Sequence, residues 1–96
     1  GFKDQGWVVV ATDKIESASV SADYFIEIDL DLLCCDSEYY VKKVNNLKQI
    51  LSGCLSVLIN NAALQIVSPV NNISLQDWQR TLNINLTAPF LLSQEL

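Results

Sequence analysis

LSVLINNAA, residues 55–63, is the stretch of this sequence that decides the fold class. Its first five residues are a short apolar run that begins soon after Gly53 and ends at the polar pair Asn60-Asn61. A short apolar run between a glycine and polar residues is typical of a strand buried in a parallel sheet. We therefore predict a strand over residues 55–59, with a polar turn at its carboxyl end.

Two more strands are predicted before this one. Gly6 is followed by a nearly continuous apolar run over residues 7–12, the pattern of a strand buried on both faces, and residues 24–29 are the second candidate. Residues 1–5 then form the tail of a preceding helix. The stretch Lys14–Ala22 fits either a short helix or a plain connection, and its sequence does not decide between them.

Helices are predicted between and after the strands. Asp36-Ser37 offers an N-cap to a helix that carries its apolar residues on one face and ends at Gly53. The stretch Ser74-Leu75-Gln76-Asp77 has the form of a capping box, and apolar residues recur behind it at helical spacing to the end of the chain. Strands that alternate with helices predict an α/β fold, part of a doubly wound parallel sheet with flanking helices, in one continuous domain.

The composition argues against several functional classes. A net charge of −5 with only six Lys and Arg residues argues against a nucleic-acid partner, and no apolar run approaches the roughly 18 residues of a membrane span. We therefore expect no nucleic acid, no membrane and a cytoplasmic location. The odd number of cysteines and the lack of His argue against a disulfide framework or a metal site. We predict that Cys34, Cys35 and Cys54 are buried, inert thiols.

Polar residues follow each predicted strand, at the edge where open parallel sheets bind their ligands. Asp13 follows the first strand, Asp29 ends the second, and Asn60-Asn61 follow the third. A carboxylate at Asp13 can accept both hydroxyls of an adenosine ribose and would repel a 2′-phosphate, which selects NAD over NADP. An acid after a strand can also start a turn or cap a helix, so both roles stay open for Asp13 and Asp29.

Asn85 has a physical argument of its own. Pro89 lies four residues later and has no N–H to donate to the Asn85 carbonyl. We therefore expect the helix to be interrupted here and the carbonyl to be presented to another partner. The alternative is a kinked packing helix in which the Asn85 side chain only satisfies a neighbour.

Two stretches closely resemble the short-chain dehydrogenase/reductase family: LINNAA, residues 58–63, and DWQRTLNINLTAPF, residues 77–90. The resemblance can be laid over essentially the whole chain and implies a partial Rossmann-like sheet. It also implies a role for each candidate residue. The ribose-binding acid is matched by Asp13, the pair along the adenine by Asp29 and Leu30, the turn that lines the cofactor cleft by Asn61, Ala62 and Ala63, and the catalytic Asn by Asn85.

The resemblance implies a nicotinamide-dependent oxidoreductase that transfers hydride between NAD(H), with NADP disfavoured by Asp13, and a small-molecule alcohol or carbonyl substrate, as a homodimer or homotetramer. It places the family's Gly-rich turn before Gly1 and the catalytic Ser and Tyr-x-x-x-Lys after Leu96. Residues 1–96 are then an incomplete NAD(P)-binding Rossmann domain, expected to be inactive and to be unstable or associated alone. Ala63 stands where the family usually has Gly, which matters if that position needs a positive φ.

Two alternative interpretations of the function stay open. One is a non-catalytic dinucleotide-binding or regulatory protein that keeps the cleft without the chemistry. The other is a receiver-like signalling module with Asp29 or Asp31 as phosphoacceptor. That module predicts a Mg²⁺-binding acidic cluster and gives no reason for Asn60-Asn61-Ala62 followed by Asn85.

Overall fold

A two-stranded parallel sheet lies at the start of the chain, in a computed structural model that describes residues 1–15 and 21–96. Strand β1 (Val10–Asp13) pairs with β2 (Tyr24–Glu27), with Val10 opposite Tyr24 and Asp13 opposite Glu27. The parallel pairing confirms the predicted α/β class, although β1 begins later than predicted and β2 ends earlier. Both carboxyl ends therefore lie at the same edge of the sheet.

The residues before β1 form a local unit instead of extending the strand. Lys3–Gln5 is a single 3₁₀ turn, closed by Gly6 in the left-handed region at φ 85°. The ring of Trp7 packs edge-on against Phe2, with 5.8 Å between ring centroids. The predicted helix tail is thus only one turn, and the backbone N–H of Val9, just before β1, donates to the Asp23 carboxylate and not to a strand carbonyl. The undecided stretch Lys14–Ala22 lies mostly outside the described residues.

Two consecutive helices follow β2, where the sequence predicted one. Helix α1 (Leu30–Cys35) begins after Asp29, whose side chain accepts hydrogen bonds from the backbone N–H groups of Asp31 and Leu32. These two bonds make Asp29 an N-cap, which explains why β2 does not reach it. Helix α2 (Ser37–Leu51) begins at the predicted cap, since Asp36 accepts from the backbone N–H of Tyr39.

The helix predicted from Ser74 is present but interrupted. A 3₁₀ turn (Val70–Asn72) precedes it, α3 (Leu75–Leu82) is capped by the Ser74 side chain, and α4 (Ala88–Glu95) ends near the last residue. Between them, Asn83–Thr87 form a π-helical turn, in which the backbone N–H of Ala88 donates to the Asn83 carbonyl. Pro89 cannot donate to the carbonyl four residues before it, which accounts for the widened turn and confirms the predicted interruption.

The buried core lies where the helices meet β2. Its centre is Leu33, which is 2% exposed, and truncating such a leucine to alanine destabilises a protein by about 2–5 kcal/mol. The cluster consists of Ile26, Ile28, Leu33, Leu47, Ala88 and Leu92. Because α1 contributes Leu33 and α4 contributes Leu92, the short helix α1 is held between the sheet and the interrupted helix.

The third predicted strand, over residues 55–59, is wrong as a hydrogen-bonded strand. In the described part of the chain these residues have no regular secondary structure, include a bend at Ser56 and form no ladder. A groove of about 860 Å³ separates them from β1 and is lined by both segments, including Val10 and Val57. A buried strand needs a neighbour on which to place its N–H and C=O groups, and β1 is paired with β2 alone. Apolar patterning gave these residues the composition of a strand, but it could not supply that neighbour.

Candidate functional site

A pocket of about 260 Å³ opens at the carboxyl ends of β1 and β2. Four segments line it: the end of β1, the start of α1, the stretch after residues 55–59, and the interrupted helix at Arg80 and Ile84. The pocket brings together Asp13, Asp29, Leu30, Ala62 and Ala63. Five of the six residues singled out for cofactor binding therefore surround one cavity.

Asp13 is the last residue of β1, and its side chain is exposed at the mouth of the pocket. Its Oδ1 accepts a hydrogen bond of 2.6 Å from the backbone N–H of Lys14. The Lys14 ammonium in turn lies 3.5 Å from Oδ2 of Asp29. Lys14 thus links the two acids, because its backbone N–H binds Asp13 and its ammonium lies beside Asp29.

Asp29 is held more firmly than Asp13. Its Oδ1 accepts from the backbone N–H groups of Asp31 at 3.1 Å and Leu32 at 3.2 Å, while its own N–H donates to the Tyr39 hydroxyl at 2.8 Å. The capping role that the sequence left open is therefore realised at Asp29. Because Oδ1 of Asp29 accepts both capping bonds, the Asp29 side chain is held in place where it lines the pocket. Leu30 beside it supplies an apolar surface.

The turn after residues 55–59 is divided between two cavities. Ala62 and Ala63 line both the pocket and the adjoining groove, whereas Asn61 lines only the groove. Ser52 is the one non-glycine residue with positive φ in the described chain, so Ala63 does not adopt the conformation that would require Gly. The departure from the family's glycine consequently introduces no backbone strain at this position.

Asn85 lies in the π-helical turn and does not line the pocket. Its side-chain Oδ1 accepts from the backbone N–H of Leu64 and its Nδ2 donates to the Leu64 carbonyl, both at 2.8 Å. The side chain thus ties the turn after residues 55–59 to the helix, as the packing alternative anticipates. Pro89 still has no N–H for the Asn85 carbonyl, so the side-chain bonds leave the argument about that carbonyl intact.

Sequence reasoning gave no cofactor role to three charged residues of the pocket, Lys14, Asp31 and Arg80. Asp31 and Arg80 both line it, with Arg80 Nε 3.9 Å from Asp31 Oδ2. The sequence singled out Asp31 only as a possible phosphoacceptor, although it lies two residues after Asp29. Arg80 carries no such signal, because its pairing depends on how close α3 lies to the first turn of α1.

The prediction of buried thiols is wrong for two of the three cysteines. Cys34 is half-buried, but Cys35 and Cys54 are exposed. Burial raises the pKa of the Cys34 thiol. The pKa of Cys35 is also raised, mainly by partial desolvation and secondly by the nearby Asp31 carboxylate. A raised pKa favours the unreactive thiol form, so both thiols are held in that form although Cys35 is exposed.

The pocket is small. Ligand sites for whole drug-sized molecules run to about 300–1,000 Å³, so a cavity of about 260 Å³ has room for a group of about nucleoside size. None of the chain's three glycines, Gly1, Gly6 and Gly53, lines it. Within residues 1–15 and 21–96, no three potential metal ligands converge, so the Mg²⁺ cluster that a receiver-like module predicts is not found there. No helix of those residues is long and apolar enough to cross a membrane.

Comparison with known proteins identifies several relatives. An "Uncharacterized oxidoreductase" of Thermotoga maritima is 29% identical over an alignment of 98 positions, which covers 97% of this chain and 38% of that protein. D-threitol dehydrogenase of Mycolicibacterium smegmatis is 43% identical over 42 residues, covering 44% of this chain and 16% of that protein. 3beta-hydroxysteroid dehydrogenase 1 of Eggerthella lenta is 37% identical over 38 residues, covering 40% and 15%.

The chain spans less than two fifths of the length of these relatives. No solved structure matches it significantly. The family model for short chain dehydrogenases matches residues 3–96, and so includes β1, the pocket and the interrupted helix. That match covers nearly the whole chain, and the chain therefore belongs to the short-chain dehydrogenase/reductase family.

Proposed function

We propose that the protein is a nicotinamide-dependent oxidoreductase that transfers hydride between NAD(H) and a small-molecule alcohol or carbonyl. One observation carries the proposal: Asp13, Asp29, Leu30, Ala62 and Ala63 come from separate segments and line one nucleoside-sized pocket. Open parallel sheets bind ligands at this edge. The bound cofactor would supply the hydride, and the residues described here would bind and orient its adenosine end.

The charges around the pocket favour NAD over NADP. Three carboxylates line it, those of Asp13, Asp29 and Asp31, against the two cations Lys14 and Arg80. Each cation lies within 4 Å of an acid, Lys14 of Asp29 and Arg80 of Asp31. A 2′-phosphate would bring further negative charge to Asp13, whereas ribose hydroxyls can donate to its carboxylate.

Asn85 is proposed to act through its backbone. The side chain is engaged with Leu64, and Pro89 cannot donate to the carbonyl. We assign that carbonyl as the acceptor for a water that relays protons toward the reacting group. The π-helical turn Asn83–Thr87 supports this role, because such turns redirect backbone carbonyls and are frequent at functional sites.

The organisation of the whole protein is part of the same proposal. Residues 1–96 would be one part of an NAD(P)-binding Rossmann domain, whose phosphate-binding turn and remaining catalytic residues lie elsewhere in the polypeptide. A homodimer or homotetramer is supported by the exposed apolar side chains of the interrupted helix, namely Leu75, Trp78, Leu86 and Phe90. The cytoplasmic location stays a prediction from the sequence, with which three free cysteines agree.

The test uses the product of the complete reading frame, titrated with NADH and NADPH while cofactor fluorescence is followed. We expect tighter binding of NADH, and about tenfold weaker binding after Asp13→Ala because hydrogen bonds to a charged group are lost. Asp4→Ala is the matched control, since that side chain is 82% exposed and lies outside the pocket. A folded product that binds neither cofactor would contradict the proposal. Binding without turnover of any alcohol or carbonyl would favour the non-catalytic dinucleotide-binding alternative.

A further inference from the structure

A hydrogen-bond network centred on Asn83 joins helix α1 to the π-helical turn. Asn83 is 5% exposed and is the one buried polar residue of the described chain. Its Nδ2 donates to Asp31 Oδ1 at 2.9 Å and to Cys35 Sγ at 3.4 Å, while its Oδ1 accepts from Gln79 Nε2 at 3.2 Å. Each polar atom of this buried side chain therefore has a partner.

The main chain of Asn83 takes part in the same contact. Its carbonyl accepts from Cys34 Sγ at 3.6 Å and from the backbone N–H of Ala88, the bond that closes the π-helical turn. A buried amide is favourable only when its hydrogen bonds are made, and an apolar side chain would fill the same space with no such requirement. What the amide adds is directionality, because it holds α1 and the turn in one relative position.

Asn83 does not touch the pocket, but its main partner does. Asp31 lines the pocket beside Asp29 and Leu30, in the first turn of α1. Asn83 binds one carboxylate oxygen of Asp31, and Arg80 approaches the other at 3.9 Å. The position of this first turn relative to the cavity therefore depends on a side chain outside it.

We propose that Asn83 is a positioning residue for the adenosine end of the cleft. By holding Asp31, it fixes the first turn of α1 so that Asp29 and Leu30 face the bound base. This inference rests on the proposed dinucleotide function and adds to it a residue that no cofactor atom contacts.

The test is a charge exchange across the Asn83–Asp31 contact, made in the product of the complete reading frame. Asn83→Asp replaces the donor with a carboxylate that faces Asp31, so the two groups repel. Adenosine is the probe, followed by ligand-observed NMR, because it fills only the nucleoside half and carries no charge for the new carboxylate to repel. We expect about tenfold weaker adenosine binding, from one lost hydrogen bond to a charged group. The double variant Asn83→Asp/Asp31→Asn restores a donor–acceptor pair and should return the affinity to within about threefold of the original.

Asn45→Asp, the same substitution at an exposed position of α2, is the control and should leave adenosine binding unchanged. Gln79→Glu gives a second route if Asn83→Asp does not fold. Gln79 is exposed, and a glutamate there can no longer donate to Asn83 Oδ1. The amide is then free to turn, and we expect about threefold weaker adenosine binding. Gln76→Glu, on the same helix, is its control.

The outcomes separate the two proposals. If the unmodified protein binds neither adenosine nor NADH, the dinucleotide function itself fails. If it binds both, and folded Asn83→Asp or Gln79→Glu binds adenosine with unchanged affinity, the positioning role is overturned while the function stands. A lower melting temperature with unchanged affinity in the folded range would mean that Asn83 only stabilises the fold. Loss of binding in Asn83→Asp that the exchange with Asp31 reverses would establish the positioning role.

Discussion

Removing the two hydrogen bonds between the Asn85 side chain and Leu64 should lower the stability of the segment that contains Leu64. Each measures 2.8 Å, and together they attach the segment after residues 55–59 to the interrupted helix. A hydrogen bond between uncharged groups contributes about 0.5–1.5 kcal/mol net, so the pair contributes about 1–3 kcal/mol. Because Asn85 is exposed and water can replace the lost partners, we expect the lower half of that range, about 1–2 kcal/mol, for Asn85→Ala.

Amide hydrogen exchange of Leu64 measures this contribution locally. The Leu64 N–H donates directly to Asn85, so its protection should fall by about fivefold to thirtyfold in Asn85→Ala, given that 1.4 kcal/mol corresponds to tenfold. Asn71→Ala, at an exposed position of the preceding 3₁₀ turn, is the control and should leave Leu64 unaffected. Equal Leu64 protection in Asn85→Ala and the original protein would refute the reasoning, because it would mean that other contacts hold the segment.

Two further predictions follow from shifted pKa values. In a chain whose other two cysteines are changed to serine, the rate of Cys35 alkylation by iodoacetamide should have a pH midpoint above 9.0. Asp31→Asn should lower that midpoint, because the Asp31 carboxylate raises the pKa of the thiol. A midpoint below 9.0 would contradict this. Lys48 donates to Glu95 at 2.9 Å and lowers its pKa below 4.5, so the ion pair stabilises the folded state at neutral pH and loses that effect as the pH falls through the folded pKa. Lys48→Met should therefore lower stability at pH 7 and progressively less below pH 4.5 in denaturant titrations; a pH-independent difference would show that the ion pair is not its origin.

Local sequence signals predicted the elements whose cause is local. The capping residues Asp36 and Ser74 begin the helices as expected, because a cap needs only the backbone N–H groups two or three residues later. The interruption before Pro89 has the same character, since a missing N–H acts on a carbonyl four residues away. Helix α1 escaped prediction because the Asp29 cap follows directly on a strand, and its six residues are too few to show helical periodicity.

Features that depend on distant partners were predicted poorly. The apolar run over residues 55–59 has strand composition, but a strand forms only where a neighbour accepts its hydrogen bonds. Cysteine is a residue type that is usually buried, yet Cys35, at the end of α1, is exposed. The Arg80–Asp31 contact joins residues on different helices, and no pattern within either helix announces it.

In the candidate site, some features could be predicted from the sequence and others depend on distant partners. The resemblance to the family selected Asp13, Asp29 and Leu30, and the sheet edge brings all three to one pocket. It also selected Asn85, whose side chain binds Leu64, whereas the role proposed for Asn85 belongs to its carbonyl. A motif identifies the position of a residue, whereas the division of labour between its side chain and its backbone depends on the surrounding contacts.

Asn83 and Asn85 both lie in the π-helical turn, and their side chains point to different parts of the fold. Residues two apart on a helix point in nearly opposite directions, about 160° apart at 3.6 residues per turn. Accordingly, the Asn83 side chain reaches Asp31 in α1, while that of Asn85 reaches Leu64 in the segment after residues 55–59. Asp31 and Leu64 both line the nucleoside-sized pocket. One turn of irregular helix thus holds two walls of the cavity that the short sheet cannot connect, because β1 and β2 pair only with each other.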